Sequence, residues 1–154
     1  MIGGGAGLLV LTLDVLTKFI VKGTLAVTGQ SVPVLPGVLS FRYVENVGAA
    51  FSMGEGFGTL FALLACAVTI GIAVYLRKAP EVSKLEVLGL GLMAGGAIGN
   101  AIDRVALGFV VDFIATDFID FPVFNVADIG ITVGVALAFI GFMFLSPAAK
   151  KGSE

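Results

Sequence analysis

The chain contains no histidine, no tryptophan and one cysteine in 154 residues. Without histidine, Ser-His-Asp and Cys-His nucleophile systems, HExxH metalloprotease sites and imidazole metal sites are all excluded. One cysteine forbids an internal disulfide and a cysteine cluster for zinc or iron–sulfur. Cys66 lies midway along an uncharged apolar run, where a small buried hydrophobe is expected. Charge is scarce as well, at 13% against about 25% in an ordinary soluble domain. The chain has no Walker A string, no G-x-G-x-x-G after a strand and no basic stripe, and its net charge of −2 gives no reason to expect nucleic acid. No metal ligand set and no cofactor motif is visible, so any catalysis must come from carboxylates, lysine, hydroxyls or backbone.

What is abundant is apolar. Hydrophobic residues make up 58% of the chain and the mean hydropathy is +1.09. A soluble protein of this size cannot hide so much apolar surface. At about 20 residues per crossing, the length suits a single membrane domain of four helices. The expected fold is mainly α, with helices at about 2–22, 57–77, 85–105 and 126–147. A small extracytoplasmic β-rich segment falls between helices 1 and 2 (about 24–56), and a second outer loop between helices 3 and 4 (about 106–125). Ile2–Val21 carries Asp14 and Lys18; it lacks the basic start and small-residue cleavage site of a secretory signal, so a retained helix is expected. Phe57–Leu76 and Ile129–Leu145 carry no charge, and Leu85–Ile102 carries only Glu86 near its start.

Arg77, Lys78 and Lys84 bracket the link between spans two and three, and Lys150 and Lys151 follow span four. Four crossings put both sets on one side, which the positive-inside rule makes cytoplasmic, together with both termini. Lys18, Lys22 and Arg42 run against the rule, leaving five basic residues inside and three outside, with Arg104 unassigned near a boundary. In the first outer segment Leu39, Phe41 and Tyr43 alternate with Ser40 and Arg42, as a strand with two unlike faces would. In the second, Phe113, Phe118, Phe121 and Phe124 suit either contact with lipid or a greasy substrate, or ordinary packing on neighbouring helices. Gly91, Gly95 and Gly99 share one helix face, and Gly130 and Gly134 another. Both read as close-packing stripes that draw spans three and four together.

Ionisable residues inside membrane spans cost about 2.5–3.5 kcal/mol each, so they invite explanation. Asp14 and Lys18 lie one turn apart on one face and read as a self-neutralising pair. Asn100, Asp103 and Arg104 cluster at the outer end of span three. Asp112 follows within the apolar string Phe109-Val110-Val111-Asp112-Phe113-Ile114, where desolvation would raise its pKa. Asn125 suits an N-cap, which makes Asp128 the third residue of the last helix, where the dipole favours an ionised carboxylate. Two carboxylates in unlike settings suit acid/base work, one activating water and the other donating to a carbonyl. By spacing alone, pairs built on Asp103 with Arg104 or Asp14 are equally arguable.

The strings carry more than spacing. Gly95-Gly96-Ala97-Ile98-Gly99-Asn100-Ala101-Ile102-Asp103-Arg104, then Gly108-Phe109-Val110-Val111-Asp112-Phe113-Ile114, then Phe124-Asn125-Val126-Ala127-Asp128, resemble the signature blocks of the bacterial lipoprotein signal peptidase (signal peptidase II) family. Asn46-Val47-Gly48-Ala49-Ala50-Phe51 resembles its Asn-x-Gly-Ala-Ala-Phe block, and Asp14 with Lys18 its first motif. The match runs from about residue 14 to 145 in order. The resemblance implies an aspartyl endopeptidase of the bacterial cytoplasmic (inner) membrane, with its active site toward the outer face. It would hydrolyse the bond before the diacylglyceryl-modified Cys of prolipoproteins and release the signal peptide. It further implies Asp112 and Asp128 as the catalytic pair, with Asp14, Lys18, Asn46, Gly48, Asn100, Asp103, Arg104 and Asn125 supporting the site or positioning substrate. Partners are then prolipoproteins and membrane lipids, and nothing requires more than a monomer. Leu63-Leu64-Ala65-Cys66 itself resembles a lipobox, but it follows a complete first span and reads as coincidence. The Gly-x-Gly-Asp string of other aspartyl intramembrane proteases does not occur.

Two other classes compete. In a small four-helix proton-coupled transporter, Asp14 would be the coupling carboxylate. In an assembly subunit, the glycine faces would account for the composition.

Overall fold

A computed structural model describes residues 2–48, 56–79 and 81–145. Ala49, Ala50 and Phe51 of the Asn-x-Gly-Ala-Ala-Phe block lie outside the described residues, as do Lys150 and Lys151. Four helices are long and apolar enough to cross a membrane: α1 (Ile2–Thr28), α2 (Gly58–Lys78), α3 (Lys84–Leu107) and α4 (Val126–Ile140), the last prolonged by a π-turn over Gly141–Leu145. Three antiparallel strands, β1 (Val32–Leu35), β2 (Leu39–Asn46) and β3 (Val110–Thr116), form one sheet in the order β1-β2-β3. Mainly helical architecture with a small sheet is as expected. The sheet, however, draws its third strand from the segment expected to be a loop.

Helix α1 runs six residues beyond its expected end. Val21 and Leu25, one turn apart, pack beneath the sheet against Val111, Phe113 and Ile114, so the apolar stripe continues past the membrane run and the helix with it. Thr24, a poor interior residue, donates its hydroxyl to the Ile20 carbonyl, 2.7 Å away. Helix α3 starts at Ser83, whose hydroxyl accepts the Glu86 N–H. It stops at Gly108, where φ is +83° and the N–H returns to the Arg104 carbonyl.

The Gly91, Gly95 and Gly99 stripe faces α1, not α4. A Cβ on Gly91 would overlap the Gly3 carbonyl, and one on Gly95 the Gly7 carbonyl. Spans three and four do meet closely, through a different row. Gly89 lies against Gly134 and Ala138, and Gly96 against Ala127. The four-residue spacing correctly marked a contact stripe, but the partner is fixed by Gly3 and Gly7, which supply the matching groove. With α1 and α4 against different faces, α3 is the most buried helix and α2 the least. Cys66 on α2 is exposed, contrary to expectation, because α2 is peripheral and presents that face outward.

Strands β2 and β3 pair from Leu39 opposite Thr116 to Asn46 opposite Val110. Between Phe41 and Val44 the register slips by one residue, the mark of a β-bulge. Leu39, Phe41 and Tyr43 do pack on the core, and Phe41 meets Phe113 edge to face at 5.7 Å. Ser40, expected on the opposite face, is also buried, because Asp117 beyond β3 accepts its hydroxyl at 2.8 Å.

Candidate active site

The sheet end of the bundle collects the polar residues, and two local features aim them. First, Phe124 exchanges backbone hydrogen bonds with Ile114, which brings the chain back beside β3 just before α4 begins. Second, Asn125 caps α4 in a closed box: its side chain accepts the Asp128 N–H at 2.9 Å, and Asp128 accepts the Asn125 N–H at 3.1 Å. The cap and the strand therefore hold Asn125 against Asp112. Its side-chain amide donates to Asp112 Oδ1 at 2.7 Å and to Asn100 Oδ1 at 3.0 Å. Sequence reasoning took Asn125 as a cap and a supporting group. The structure makes it a fully buried cross-link between Asp112 and Asp128.

Each of the two aspartates has both oxygens engaged. Asp112 also accepts from the Asn46 amide at 2.8 Å, and the bulge in β2 shifts the pairing just before Asn46. Asp128 accepts from Asn100 Nδ2 at 2.8 Å. Their settings differ. Asp112 is 2% exposed between Val111 and Phe113, and burial pushes its carboxyl from an ordinary 3.8 up to about 7. The nearby Asp128 charge contributes to this rise, while bonds from Asn46 and Asn125 and the Lys18 charge limit it. Asp128 sits instead in the first turn of α4, where the helix dipole favours negative charge.

A layer deeper lies an ion cluster. Lys18 meets Asp14 at 2.8 Å, Asp103 at 3.0 Å and the Asn100 side-chain carbonyl at 2.9 Å. Asp14 and Lys18 do pair, but the pair is not self-contained. Asp14 also accepts the Ala127 N–H at the start of α4, and Asp103 accepts the Val111 N–H at the start of β3. Asp103 thus ties β3 to the bundle rather than pairing with Arg104. These backbone partners were invisible in sequence, since no side-chain type marks Ala127 or Val111. Arg104 reaches over the ring of Phe61 on α2 at 5.4 Å and donates to the Gly48 carbonyl at 3.2 Å. Gly48 in turn donates its N–H to Asn46.

Asp112, Asp128, Asn46, Asn100 and Arg104 all border one cavity of about 650 Å³. Its polar groups sit at the sheet end. The remainder is apolar and runs down between α2 and α4, with Leu64, Ala65 and Val68 on one wall and Ile131 and Thr132 on the other. Phe121 and Phe124, stacked edge to face at 5.9 Å, close the outer side. Of the phenylalanines in the second outer segment, Phe113 is core, Phe118 is exposed, and these two border the cavity. Asp14 and Lys18 do not reach it. Among the described residues no group of three or more Cys, Asp or Glu is arranged to hold a metal ion. The arrangement is a pair of unlike carboxylates at the polar end of a largely apolar cavity. It can activate water against a bond carried in on an apolar segment.

Known proteins share this sequence and fold. The family model described as signal peptidase (SPase) II matches residues 6–144. The lipoprotein signal peptidase of Geobacillus thermodenitrificans is 45% identical over 94% of this chain and 91% of its own. That of Gloeobacter violaceus is 43% identical over 88% of this chain and 78% of its own. Two solved chains of a bacterial membrane enzyme, obtained by the in meso method at 2.3 Å and 1.9 Å resolution, are each 34% identical. They superpose with TM-scores of 0.81 and 0.80, covering 90% and 91% of this chain and 85% and 91% of theirs.

Proposed function

Since the chain belongs to the signal peptidase II family, a family of membrane proteases, we propose that it is a lipoprotein signal peptidase working through an Asp112–Asp128 dyad. Its substrates are prolipoproteins, cut before the diacylglyceryl-modified Cys. The observation that carries the dyad is the joint placement of Asp112 and Asp128 on one cavity, cross-linked by Asn125.

The unlike settings divide the labour. Asp128, with N–H donors on both oxygens at a helix N-terminus, is the ionised base that takes a proton from water. Asp112, held protonated by burial, donates to the scissile carbonyl as water adds. In the second step the nitrogen of the leaving segment takes up a proton from the dyad as the C–N bond breaks. Hydrolysis consumes one water and needs no further reactant. Asn46, Asn100 and Arg104 face the cavity and can meet the unpaired backbone groups of an extended peptide, which has no water to bond at membrane depth. The apolar lower part of the cavity suits the signal segment or acyl chains.

The basic residues Arg77, Lys78 and Lys84 orient the chain with both termini in the cytoplasm and the sheet at the outer face of the inner membrane. The residues assigned to the site all come from one copy, so a monomer suffices for this reading. The transporter reading loses its coupling group, since Asp14 is fully buried, paired with Lys18 and bonded to Ala127, away from the cavity.

The test is cleavage of a diacylglyceryl prolipoprotein in detergent by Asp112→Asn and by Asp128→Asn, each of which keeps the side chain's shape and replaces one acceptor oxygen by an amide NH2 that can neither take up nor release the proton. Each is expected to lower kcat by about 10²–10⁴-fold, the range for a lost acid or base. Near-normal turnover by either variant would remove the dyad.

A further inference from the structure

A second buried carboxylate lies far from the dyad, and the mechanism above does not use it. Glu86, 2% exposed, is in the first turn of α3. It is fourteen residues before Asn100, roughly 21 Å at 1.5 Å per residue. Ser83-Lys84-Leu85-Glu86 has the sequence of a capping box, and Ser83 does accept the Glu86 N–H. The reciprocal bond from the Glu86 side chain to the cap is not made. Instead Glu86 Oε1 accepts the hydroxyl of Tyr75 in the last turns of α2 at 2.5 Å, and Oε2 is buried with no hydrogen-bond partner among the described residues. Leaving a buried carboxyl oxygen unsatisfied is costly, and a box was available that would have used it. The geometry spends Glu86 on α2.

Helix α2 needs such a fastening. Only Ala62 and Ile72 of its residues are buried, and among the described residues its helical packing is against α3, with no comparable contact to α1 or α4. Yet α2 supplies Phe61, Leu64, Ala65 and Val68 to the cavity wall. Two polar contacts tie this helix to α3: Arg104 over Phe61 at the site end and Tyr75 on Glu86 at the other. We propose that Tyr75 and Glu86 are positioning residues, a clasp that fixes the spacing between α2 and α4 and so sets how tightly the apolar membrane segment of the substrate is held. This rests on the reading above that such a segment fills the cavity.

The chain provides its own reporter. Cys66 is its one cysteine, exposed on α2 and not on the cavity wall; Val135 is exposed on α4 and likewise off the wall. Spin labels on Cys66 and on Val135→Cys report the α2–α4 distance in lipid nanodiscs. Tyr75→Phe keeps the ring and removes the donor; it is expected to broaden the distance distribution. Glu86→Gln keeps an acceptor for Tyr75 and is expected to leave it narrow. In cleavage assays Tyr75→Phe is expected to raise KM for a full-length prolipoprotein by about three- to tenfold, about the net value of one hydrogen bond, with kcat within about twofold. A short lipopeptide lacking the apolar segment should show no change, and Glu86→Gln should resemble the parent on both substrates. An unaltered distance distribution in Tyr75→Phe overturns the clasp, as does an equal loss on long and short substrates. If the parent enzyme cleaves neither substrate, the proposed reaction fails instead, and the distances alone decide the clasp.

Discussion

Asp112 makes a testable link between burial, stability and rate. Its carboxyl is held near 7 in the folded protein, against an ordinary 3.8. At about 1.4 kcal/mol per unit, that displacement corresponds to about 4 kcal/mol. The unfolded chain gives up this proton near pH 4, while the folded protein keeps it until about 7. Between those values the folded state binds one more proton, so stability falls as pH rises from 4 to 7, then levels off. Unfolding in mixed detergent micelles between pH 4.5 and 8, for the parent and for Asp112→Asn, isolates the contribution. The parent should lose about 3 kcal/mol relative to the variant across that window, the part of the displacement that lies above pH 4.5. Catalysis supplies the second reading. If Asp112 is the proton donor, log kcat falls with rising pH above about 7. Parallel stability curves for parent and variant would refute the burial argument. A kcat that climbs through pH 7 would show that Asp112 works ionised and reverse the assigned roles.

Two further outcomes follow from the packing. Lys18→Met leaves the buried Asp14 and the partly buried Asp103 without their cation, and is expected to cost about 3–5 kcal/mol, read as a lower unfolding midpoint in detergent; an unchanged midpoint would mean the cluster is not held as an ion cluster. Gly95→Leu would drive a side chain into the Gly7 backbone. Loss of folded protein in size-exclusion chromatography is expected, whereas Gly5→Leu, facing open space, should be tolerated.

The sequence made the four spans legible because membrane burial imposes a length and a composition on each helix, independent of its neighbours. It also exposed the Asn125–Asp128 cap, since a cap and its third helical residue form a local pattern four residues long. What it concealed was pairing between distant segments. Val110–Thr116 is a near-continuous apolar run without alternation, because a strand buried on both faces has no polar side to display. It therefore read as a greasy loop. The bulge at Arg42 and Tyr43 depends on the register against β3, which neither strand specifies alone. The glycine stripe on α3 announced a close neighbour without saying which, and Cys66 was misplaced because an apolar run does not distinguish lipid from protein around it. Glu86 read only as a charge near a helix start, since the tyrosine that holds it lies on another helix.

The scarcity of charge acquires a physical sense at the site. Asp14, Asp103, Asp112 and Asp128 are four carboxylates at one end of the bundle; among the described residues Lys18 is the cation within salt-bridge distance of any of them, while Arg104 borders the cavity without such a contact. It contacts the two aspartates outside the cavity directly. It reaches the cavity only through Asn100, whose carbonyl faces Lys18 and whose amide faces Asp128. Placing the cation directly on the dyad would tie both carboxylates down as ions and remove the proton that the reaction needs on one of them. Placing it one amide away supports Asp128 as an acceptor, while Asp112, farther along the same network, keeps a raised proton affinity despite the Lys18 field. The asparagines thus do what a second lysine could not. They carry hydrogen bonds between the ion cluster and the dyad without adding a further charge to a cavity that Arg104 already borders.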